Sequence, residues 1–150
     1  MLMSPFQFKY LHGYDAQHME QVHEECFDVG WSHNFFKNRL NSNFIKSIGC
    51  FHQESSLVGF VMFQKVIDII EIYTICILPA YRRMGLGTCT LNHLKKREVG
   101  LKEVTLEVDE SNLAAQKLYI KQGFKRVGKR KAYYSNGNSK KDALIFSLFL

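Results

Sequence analysis

Apolar and polar residues alternate at the start of the chain and then change to a helical period. Residues 6–11 read Phe-Gln-Phe-Lys-Tyr-Leu, an alternation typical of a strand, and His12-Gly13 ends it. Asp15 then stands where a helix N-cap is expected, and Ser32 is placed to cap a second, shorter helix. The apolar positions of these two helices are Ala16, Met19, Val22 and Cys26, then Phe35, Phe36 and Leu40.

Three consecutive strands are predicted between Phe44 and Ile77, where Phe, Val and Ile are frequent. The stretch is interrupted at Glu54-Ser55-Ser56 and again near Asp68, which indicates two hairpin turns. The third strand, from Ile69 to Ile77, is almost continuously apolar, and this pattern predicts a strand buried on both faces.

The second half of the chain alternates helices and strands. The predicted elements are a helix from Leu86 to Val99 ending near Gly100, a strand from Val104 to Val108, a helix from Leu113 to Gln122 with Gly123 at C′, and strands from Phe124 to Val127 and from Ala143 to Phe149. The order is β-α-α-β-β-β-α-β-α-β-β. With no linker or repeat to divide it, we expect one α/β domain over residues 1–150, with a mixed sheet.

Composition places the chain among ordinary globular domains. Its 150 residues are 46% hydrophobic and 23% charged, which excludes a disordered tail, a collagen-like chain and a disulfide mini-protein. The charge is uneven, because residues 1–75 carry 5 Lys and Arg against 8 Asp and Glu, whereas residues 76–150 carry 15 against 6. The basic half suggests a polyanionic partner: a nucleic acid, an acidic membrane or a phosphorylated cofactor.

The four cysteines form no CxxC pair and no zinc-type spacing. We therefore expect free, buried thiols and no metal site. The N-terminal residues lack the pattern of a secretion signal, and no apolar stretch reaches about 18 residues, so we expect a cytoplasmic protein without a membrane span.

A basic, glycine-containing turn lies between the third predicted strand and the helix after it. The turn, residues 82–87, reads Arg-Arg-Met-Gly-Leu-Gly. Glycines there let the backbone expose consecutive N–H groups at a helix N-terminus, where the helix dipole also favours an anion. The turn has neither the Lys-Ser/Thr of a Walker loop nor the Gly-x-Gly-x-x-Gly of a dinucleotide site. The pattern predicts a phosphate-binding turn of another kind.

The pattern Arg82-x-x-Gly85-x-Gly87, after a strand and Pro79, resembles the acetyl-CoA signature of the GNAT acetyltransferases. The string from Leu106 to Tyr119, continuing to Gly123-Phe124, closely resembles the RimI-like branch, which acetylates protein N-termini. The resemblance covers residues 57–150 well and is thinner over residues 1–56, where Trp31-Ser32 agrees best. It implies a single domain with a mixed, mostly antiparallel sheet flanked by helices.

The resemblance implies acetyl-CoA as the acetyl donor and assigns residues to it. Ile75, Cys76 and Ile77 would pair their backbone with the pantetheine arm, and the Ile77 N–H is a candidate donor to the thioester oxygen. Asn112 would touch the cofactor, although it could equally serve as a helix N-cap, and the two roles can coexist. The residues implied for the phosphate-binding turn are Arg82, Arg83, Met84, Gly85, Leu86, Gly87 and Thr88.

Two residues are implied for the chemistry. Glu107 would be the general base; because a carboxylate is a weak base for an amine, we expect it to be buried or to act through a water molecule. Tyr119 would protonate the departing CoA sulfur, and a phenol pKa of about 10 against about 8.5 for a thiol makes that transfer close to balanced. The structural alternatives are a surface glutamate pointing away from the core and a core aromatic on the Ala115 face of its helix.

A covalent route through Cys76 is not expected. Its neighbours Ile75 and Ile77 place it in an apolar strand without an adjacent histidine, where burial raises the pKa of a thiol. We therefore expect direct transfer of the acetyl group.

The resemblance also implies that Trp31, Tyr133 and Tyr134 contribute to an acceptor groove. A plain hairpin with paired tyrosines explains the last two equally well. The sequence departs from the RimI-like pattern at Lys140-Lys141-Asp142-Ala143, because a lysine stands where that branch usually has a second acidic residue. This departure concerns acceptor preference and leaves the acetyl-CoA signature intact.

Three functions remain from the sequence. The first is acetylation of a protein N-terminal α-amine, with a ribosomal protein as the implied acceptor. The second is acetylation of a small amine such as a polyamine or an aminoglycoside, for which the first helix offers Glu20, Glu24, Glu25 and Asp28. The third is nucleic-acid binding through basic stretches such as residues 95–97 and 129–131, although no RNP-type motif accompanies them. An inactive CoA-binding domain fits less well, because both Glu107 and Tyr119 are present.

Overall fold

The element order agrees with the sequence pattern. A computed structural model describes residues 4–131 and 142–150, and within them the chain forms seven strands and four helices. The strands are Phe6–Tyr10 (β1), Ile45–His52 (β2), Ser56–Val66 (β3), Ile69–Ile77 (β4), Glu103–Asp109 (β5), Lys125–Arg130 (β6) and Ala143–Phe149 (β7). The helices are Ala16–Cys26 (α1), His33–Leu40 (α2), Leu86–Arg97 (α3) and Leu113–Lys121 (α4).

The strands form one sheet in the order β1-β2-β3-β4-β5-β7-β6. All neighbours are antiparallel except β4 and β5, which run parallel and are joined through α3. A parallel pair needs such a crossover, whereas the antiparallel pairs β2-β3 and β3-β4 need only tight turns. The expected α/β fold with a mixed, mostly antiparallel sheet is confirmed.

Local polar residues set the helix ends. The Ser32 hydroxyl accepts a hydrogen bond from the Phe35 N–H (3.1 Å), as predicted for the start of α2. Asp15 precedes α1 as predicted, but its carboxylate accepts from the His12 N–H (2.8 Å) and so closes the turn before the helix. After α4, Gly123 has a φ of +95°, a left-handed conformation that favours glycine.

Two apolar layers cover the two faces of the sheet. On one face α3 and α4 pack over the sheet, and the buried residues there include Val61, Phe63, Ile70, Ile72, Leu91, Leu94 and Tyr119. On the other face α1 and α2 pack, and the buried residues include Met19, Val22, Phe36, Phe60, Met62 and Cys76. The sheet is therefore sandwiched between helices.

Strand β4 changes the face that it buries. Val61 pairs with Ile75 and Phe63 with Ile72, so β4 has one residue more than β3 across this interval, an irregularity of the β-bulge kind that includes Tyr73. Before the bulge Ile72 packs on the α3 side, and after it Cys76 packs on the α1 side. The prediction that β4 is buried on both faces along its length is wrong: burial alternates along the strand, and the bulge switches the layer that receives it.

No helix in the part of the chain that the structure describes is long and apolar enough to cross a membrane. All four cysteines are free: Cys50 and Cys76 are buried as expected, Cys26 is half-buried and Cys89 is exposed. Among residues 4–131 and 142–150, no cluster of His, Cys, Asp or Glu could hold a metal ion.

Candidate active site

A cleft opens where β4 and β5 separate. Their pairing ends at Ile72 and Leu106, although β4 continues to Ile77 and β5 continues to Asp109. The bulge at Tyr73 directly follows the last pair, and a bulge bends the strand that carries it. The diverging strands border a cleft of about 860 Å³ that the first turns of α3 and α4 also line.

The predicted phosphate-binding turn forms one end of this cleft. Gly85 is the residue before α3 and has a φ of +76°, so the chain enters the helix through a left-handed residue. The first N–H groups of a helix have no partner within it, and here the residues that carry them line the cleft. The Arg82 Nε donates to the Ile77 carbonyl oxygen (2.9 Å), which fixes the turn to the end of β4. Gly87 permits close packing, since a Cβ there would lie 3.0 Å from Leu118 of α4.

Glu107 points away from the core and into the cleft. Its neighbours Leu106 and Val108 are buried on the opposite face of β5, as strand alternation requires. The Glu107 side chain is 39% exposed, and its carboxylate lies 3.0 Å from Nη2 of Arg130. The Glu107 carboxylate is therefore not buried, although one sequence-based expectation for a general base required burial. Glu107 is a surface residue that also lines the cleft.

Tyr119 lines the cleft from the helical side. Its side chain is 5% exposed, and its ring packs against Phe124 (5.6 Å between centroids) and Phe146 (6.3 Å). Within the described residues the Tyr119 hydroxyl has no hydrogen-bond partner. The hydroxyl oxygen is not fully buried, so it is open to the cleft that Tyr119 lines. Burial, and then the neighbouring Cys76, raise the pKa of Tyr119. The phenol therefore keeps its proton at neutral pH, and giving that proton to a thiolate is less balanced than ordinary pKa values indicate.

Asn112 has the capping role that the sequence left open. Its Oδ1 accepts a hydrogen bond from the Ala115 N–H (3.1 Å) at the start of α4. The residue also lines the cleft. A cap of this kind leaves other N–H groups of the first turn available to a ligand.

The profile described as "Acetyltransferase (GNAT) family" matches residues 15–124, more than half of the chain. The chain belongs to the GNAT acetyltransferase family. An alanine N-acetyltransferase of ribosomal protein bS18 from Haemophilus influenzae is 30% identical over 141 residues, which cover 91% of this chain and 93% of the relative.

Solved structures agree with this acetyltransferase assignment. The ribosomal-protein-S18-alanine N-acetyltransferase from Escherichia coli has a TM-score of 0.85 and 28% identity, with 96% of this chain and 93% of that chain covered. Arabidopsis thaliana NAA60 in complex with acetyl-CoA has a TM-score of 0.84 at 22% identity, with 97% and 98% covered, and shows the shared fold.

The acetyl donor of this acetyltransferase is acetyl-CoA. The residues present fit such a molecule, because the cleft offers a helix N-terminus and two arginines for phosphates, followed by a half-buried apolar strand end for a thioester arm. Most of the predicted cofactor-binding residues line it together: Ile75, Cys76, Ile77, Arg82, Arg83, Gly85, Leu86, Gly87, Thr88 and Asn112.

Two of the predicted site residues that the structure describes, Met84 and Trp31, do not line the cleft. Met84 is 54% exposed and is not among the residues that line the cleft. Trp31 is also outside that lining; its ring stacks on the buried His23 (4.7 Å) and its backbone N–H donates to His23 Nδ1 (3.1 Å). Tyr133 and Tyr134 fall outside the described residues, so their assignment stays a prediction.

Sequence reasoning missed the end of α1 as part of the cleft. Cys26 and the two residues after it, Phe27 and Asp28, line the cleft. The sequence signal in this region was the helical spacing of apolar residues that ends at Cys26. That spacing predicted a helix with one buried face and no part of a site. Four carboxylates were expected on the first helix for a cationic small substrate, but Asp28 lies beyond the end of α1. Asp28 is also the one of the four that lines the cleft, so they do not form the clustered acid that such a substrate favours.

The basic stretch at the end of β6 is partly neutralised by local partners. Lys129 lies 3.0 Å from Asp142 and 3.4 Å from Glu110, and these two carboxylates raise the pKa of Lys129, Asp142 more strongly. Arg130 is engaged by Glu107. These pairings weaken the case that residues 129–131 are a free nucleic-acid surface.

Proposed function

We propose that this acetyltransferase transfers the acetyl group of acetyl-CoA directly to the N-terminal α-amine of a protein, with a ribosomal protein as the acceptor. One observation carries the proposal: Glu107 and Tyr119 line the same cleft from different elements, together with the strand end Ile75–Ile77. The names of the bacterial relatives, which acetylate an alanine of a ribosomal protein, support the acceptor class.

Bound acetyl-CoA supplies an activated thioester, and the chain must then remove one proton and provide another. An α-amine has a pKa of about 7.7–8.0, so only a modest base is needed near neutral pH. Glu107 is proposed to take that proton through a water molecule, since its half-exposed carboxylate leaves room for one. The Arg130 guanidinium holds this carboxylate at the edge of the cleft.

Tyr119 is proposed to return a proton to the departing sulfur. Its raised pKa keeps the phenol protonated, and the same apolar surroundings would raise the pKa of a thiol leaving beside it. Cys76 is not proposed to accept the acetyl group from acetyl-CoA, because burial raises its pKa well above that of an ordinary thiol.

The proposed donor site consists of the phosphate-binding turn, the N-terminus of α4 at Asn112 and the β4 edge at Ile75–Ile77. Trp31, Tyr133 and Tyr134 remain proposed contributors to the acceptor groove. The cytoplasm is the proposed compartment, since ribosomal proteins are made there and free thiols persist there.

The test is acetyl-CoA turnover, followed by thiol release, over peptides with different N-terminal residues and over small amines. We expect peptides that begin with alanine to react and polyamines or aminoglycosides not to react. Glu107→Gln and Tyr119→Phe should each lower kcat by about 100-fold or more while acetyl-CoA affinity is retained. Glu24→Gln and Tyr14→Phe, both at exposed positions, are the matched controls.

Each part of the proposal can fail separately. Wild-type rates in both active-site variants would contradict the two catalytic roles. Turnover with small amines alone would contradict the protein acceptor. An absence of acetyl-CoA binding would contradict the donor site itself.

A further inference from the structure

Two cysteines from different elements of the fold, a helix and a strand, line the wall of the cleft. Cys26 is the last residue of α1, and Cys76 is the next-to-last residue of β4. Both belong to the apolar layer between α1 and the sheet, Cys76 as a buried member and Cys26 packed against it. The Cys26 Sγ lies 3.4 Å from the carbonyl oxygen of Ile77, the residue next to Cys76, although 50 positions separate the two cysteines in the sequence.

The surroundings of Cys26 are those of a reactive thiol. Its Sγ donates to the Ile77 carbonyl oxygen at 3.4 Å, and the Arg82 Nε donates to the same oxygen at 2.9 Å. The guanidinium is thus held beside the sulfur. A hydrogen bond from Cys76, and then the nearby Arg82, lower the pKa of the Cys26 thiol against the opposing effect of burial. A thiolate near a cation, reachable from a cleft, is the form of cysteine that oxidants attack.

Cys76 has the complementary surroundings. It is 5% exposed, and burial, followed by its contact with Cys26, raises its pKa well above that of an ordinary thiol. An oxidant in solution therefore does not reach Cys76 first. A modified Cys26 sulfur would already lie beside it.

We propose that Cys26 is a hydroperoxide-sensitive thiol whose sulfenic acid is resolved by Cys76, giving an intramolecular disulfide in the wall of the cleft. In the first step the Cys26 thiolate attacks a peroxide oxygen: the S–O bond forms, the O–O bond breaks, and the departing hydroxide leaves as water after taking a proton. The sulfur is oxidised by two electrons and the peroxide is reduced.

In the second step the Cys76 sulfur attacks the Cys26 sulfur. The S–S bond forms, the S–O bond breaks, and hydroxide leaves with the Cys76 proton as a second water. The product links the end of α1 to the end of β4. Because both residues line the cleft, the link lies where the acetyl donor binds.

The chain offers a clean chemical readout. Cleavage after Lys and Arg places every cysteine on a separate peptide, with Cys26 on residues 10–37 and Cys76 on residues 66–82. We would expose the reduced full-length protein briefly to hydrogen peroxide, block the remaining thiols and map the peptides without reduction. The expected result is the linked pair 10–37 and 66–82 in the monomer, with the loss of two hydrogens from the intact mass.

Variants separate the two steps. Cys76→Ser should abolish the link and leave a sulfenic acid on Cys26 that dimedone traps, whereas Cys26→Ser should leave Cys76 reduced. Cys89→Ser removes the exposed cysteine and should leave the Cys26–Cys76 link unchanged. Saturating acetyl-CoA should slow the reaction of the wild-type protein, because Cys26 is reached through the cleft.

Three results would overturn the proposal. Oxidation of Cys89 while Cys26 and Cys76 stay reduced would show that exposure alone decides reactivity. A Cys50–Cys89 link, or only links between molecules, would show that the pair does not form. Equal rates with and without acetyl-CoA would contradict access through the cleft. The readout is a covalent bond, so it does not depend on the acceptor proposed above.

Discussion

Glu107 and Arg130 form an ion pair across an intervening strand. Glu107 belongs to β5 and Arg130 to β6, and β7 lies between them in the sheet. Neighbouring strands are about 4.8 Å apart, so the two side chains must span roughly 10 Å of sheet to bring Oε2 and Nη2 within 3.0 Å. Two long side chains can meet in this way only if both lean over β7, which orients the carboxylate along the surface of the sheet.

We expect Arg130→Met to lower kcat by about tenfold, with little change in the KM for acetyl-CoA. The carboxylate loses the group that orients it, whereas the phosphate-binding turn is untouched. Lys131→Met is the matched control, because it removes an exposed positive charge at the adjacent position. Steady-state kinetics on a peptide acceptor check the prediction, and equal losses in the two variants would mean that charge alone is responsible. Since both partners are more than one third exposed, unfolding midpoints should hardly change.

Gly59 controls how closely β3 approaches the end of β4. A Cβ at this glycine would lie 2.6 Å from the Cys76 carbonyl oxygen and 2.5 Å from Ile77 Cδ1, and the backbone atom cannot move aside cheaply. Gly59→Ala should therefore lower the free energy of unfolding by about 1–3 kcal/mol in urea titrations. In the control Gly128→Ala the new methyl group meets Ile145 at an ordinary 3.4 Å. If both variants are as stable as the wild type, the close approach is not a constraint.

His23 makes stability depend on pH. It is 2% exposed; its Nδ1 accepts from the backbone N–H of Trp31, and its Nε2 lies 3.3 Å from the Thr74 hydroxyl. Burial lowers the pKa of His23 from 6.5 to about 4, so between these values the unfolded chain binds a proton that the folded chain does not. The stabilisation that neutral His23 contributes is complete above pH 6.5, and it is lost as the pH falls from 6.5 to about 4. The expected loss between pH 7 and pH 5 is about 2 kcal/mol.

Urea titrations at several pH values measure this loss, and His23→Gln is the variant that isolates it. Glutamine can accept and donate at this place without titrating. Burial also lowers the pKa of His93, which adds a slope of the same sign to both proteins. The pH dependence should be shallower in the variant, and parallel curves would rule out His23 as its source.

Asn112 caps helix α4 and also lines the cleft. Asn112→Ala removes the cap of α4 and should cost about 1 kcal/mol of stability. Because Asn112 also lines the cleft, acetyl-CoA affinity should fall as well. Ser32→Ala removes the equivalent cap of α2, away from the cleft, and should lower stability alone. Thermal unfolding and calorimetric titration separate the two effects. Unchanged affinity in Asn112→Ala would leave it only the capping role.

The features that the sequence predicts correctly are those set by neighbours along the chain. The caps at Ser32 and Asn112 and the left-handed Gly123 follow from hydrogen bonds and backbone preferences within a few residues. Glu107 and Tyr119 come from a resemblance to a motif; both line one cleft, and their catalytic roles stay predictions.

The features that were missed depend on pairing between distant segments. The bulge at Tyr73 is visible only in the register of β4 against β3, because its residue types do not differ from those of an ordinary strand. The Glu107–Arg130 pair needs the order of three strands, and the meeting of Cys26 with Cys76 needs α1 to pack on β4. None of these relationships leaves a periodic signal in the sequence.

The extra residue in β4 also decides whether the even-numbered or the odd-numbered side chains later in the strand enter each apolar layer. Up to Ile72 the even-numbered side chains enter the layer beneath α3, and from Thr74 they turn towards α1. Deleting Tyr73 would leave Met62–Thr74 and Phe63–Ile72 as consecutive pairs of an ordinary ladder, so Cys76 and Ile77 would keep their faces. One more residue inserted after Ile72 would instead exchange the faces of Cys76 and Ile77 while leaving the composition almost unaltered. This strand should therefore tolerate the loss of Tyr73 far better than the gain of another residue.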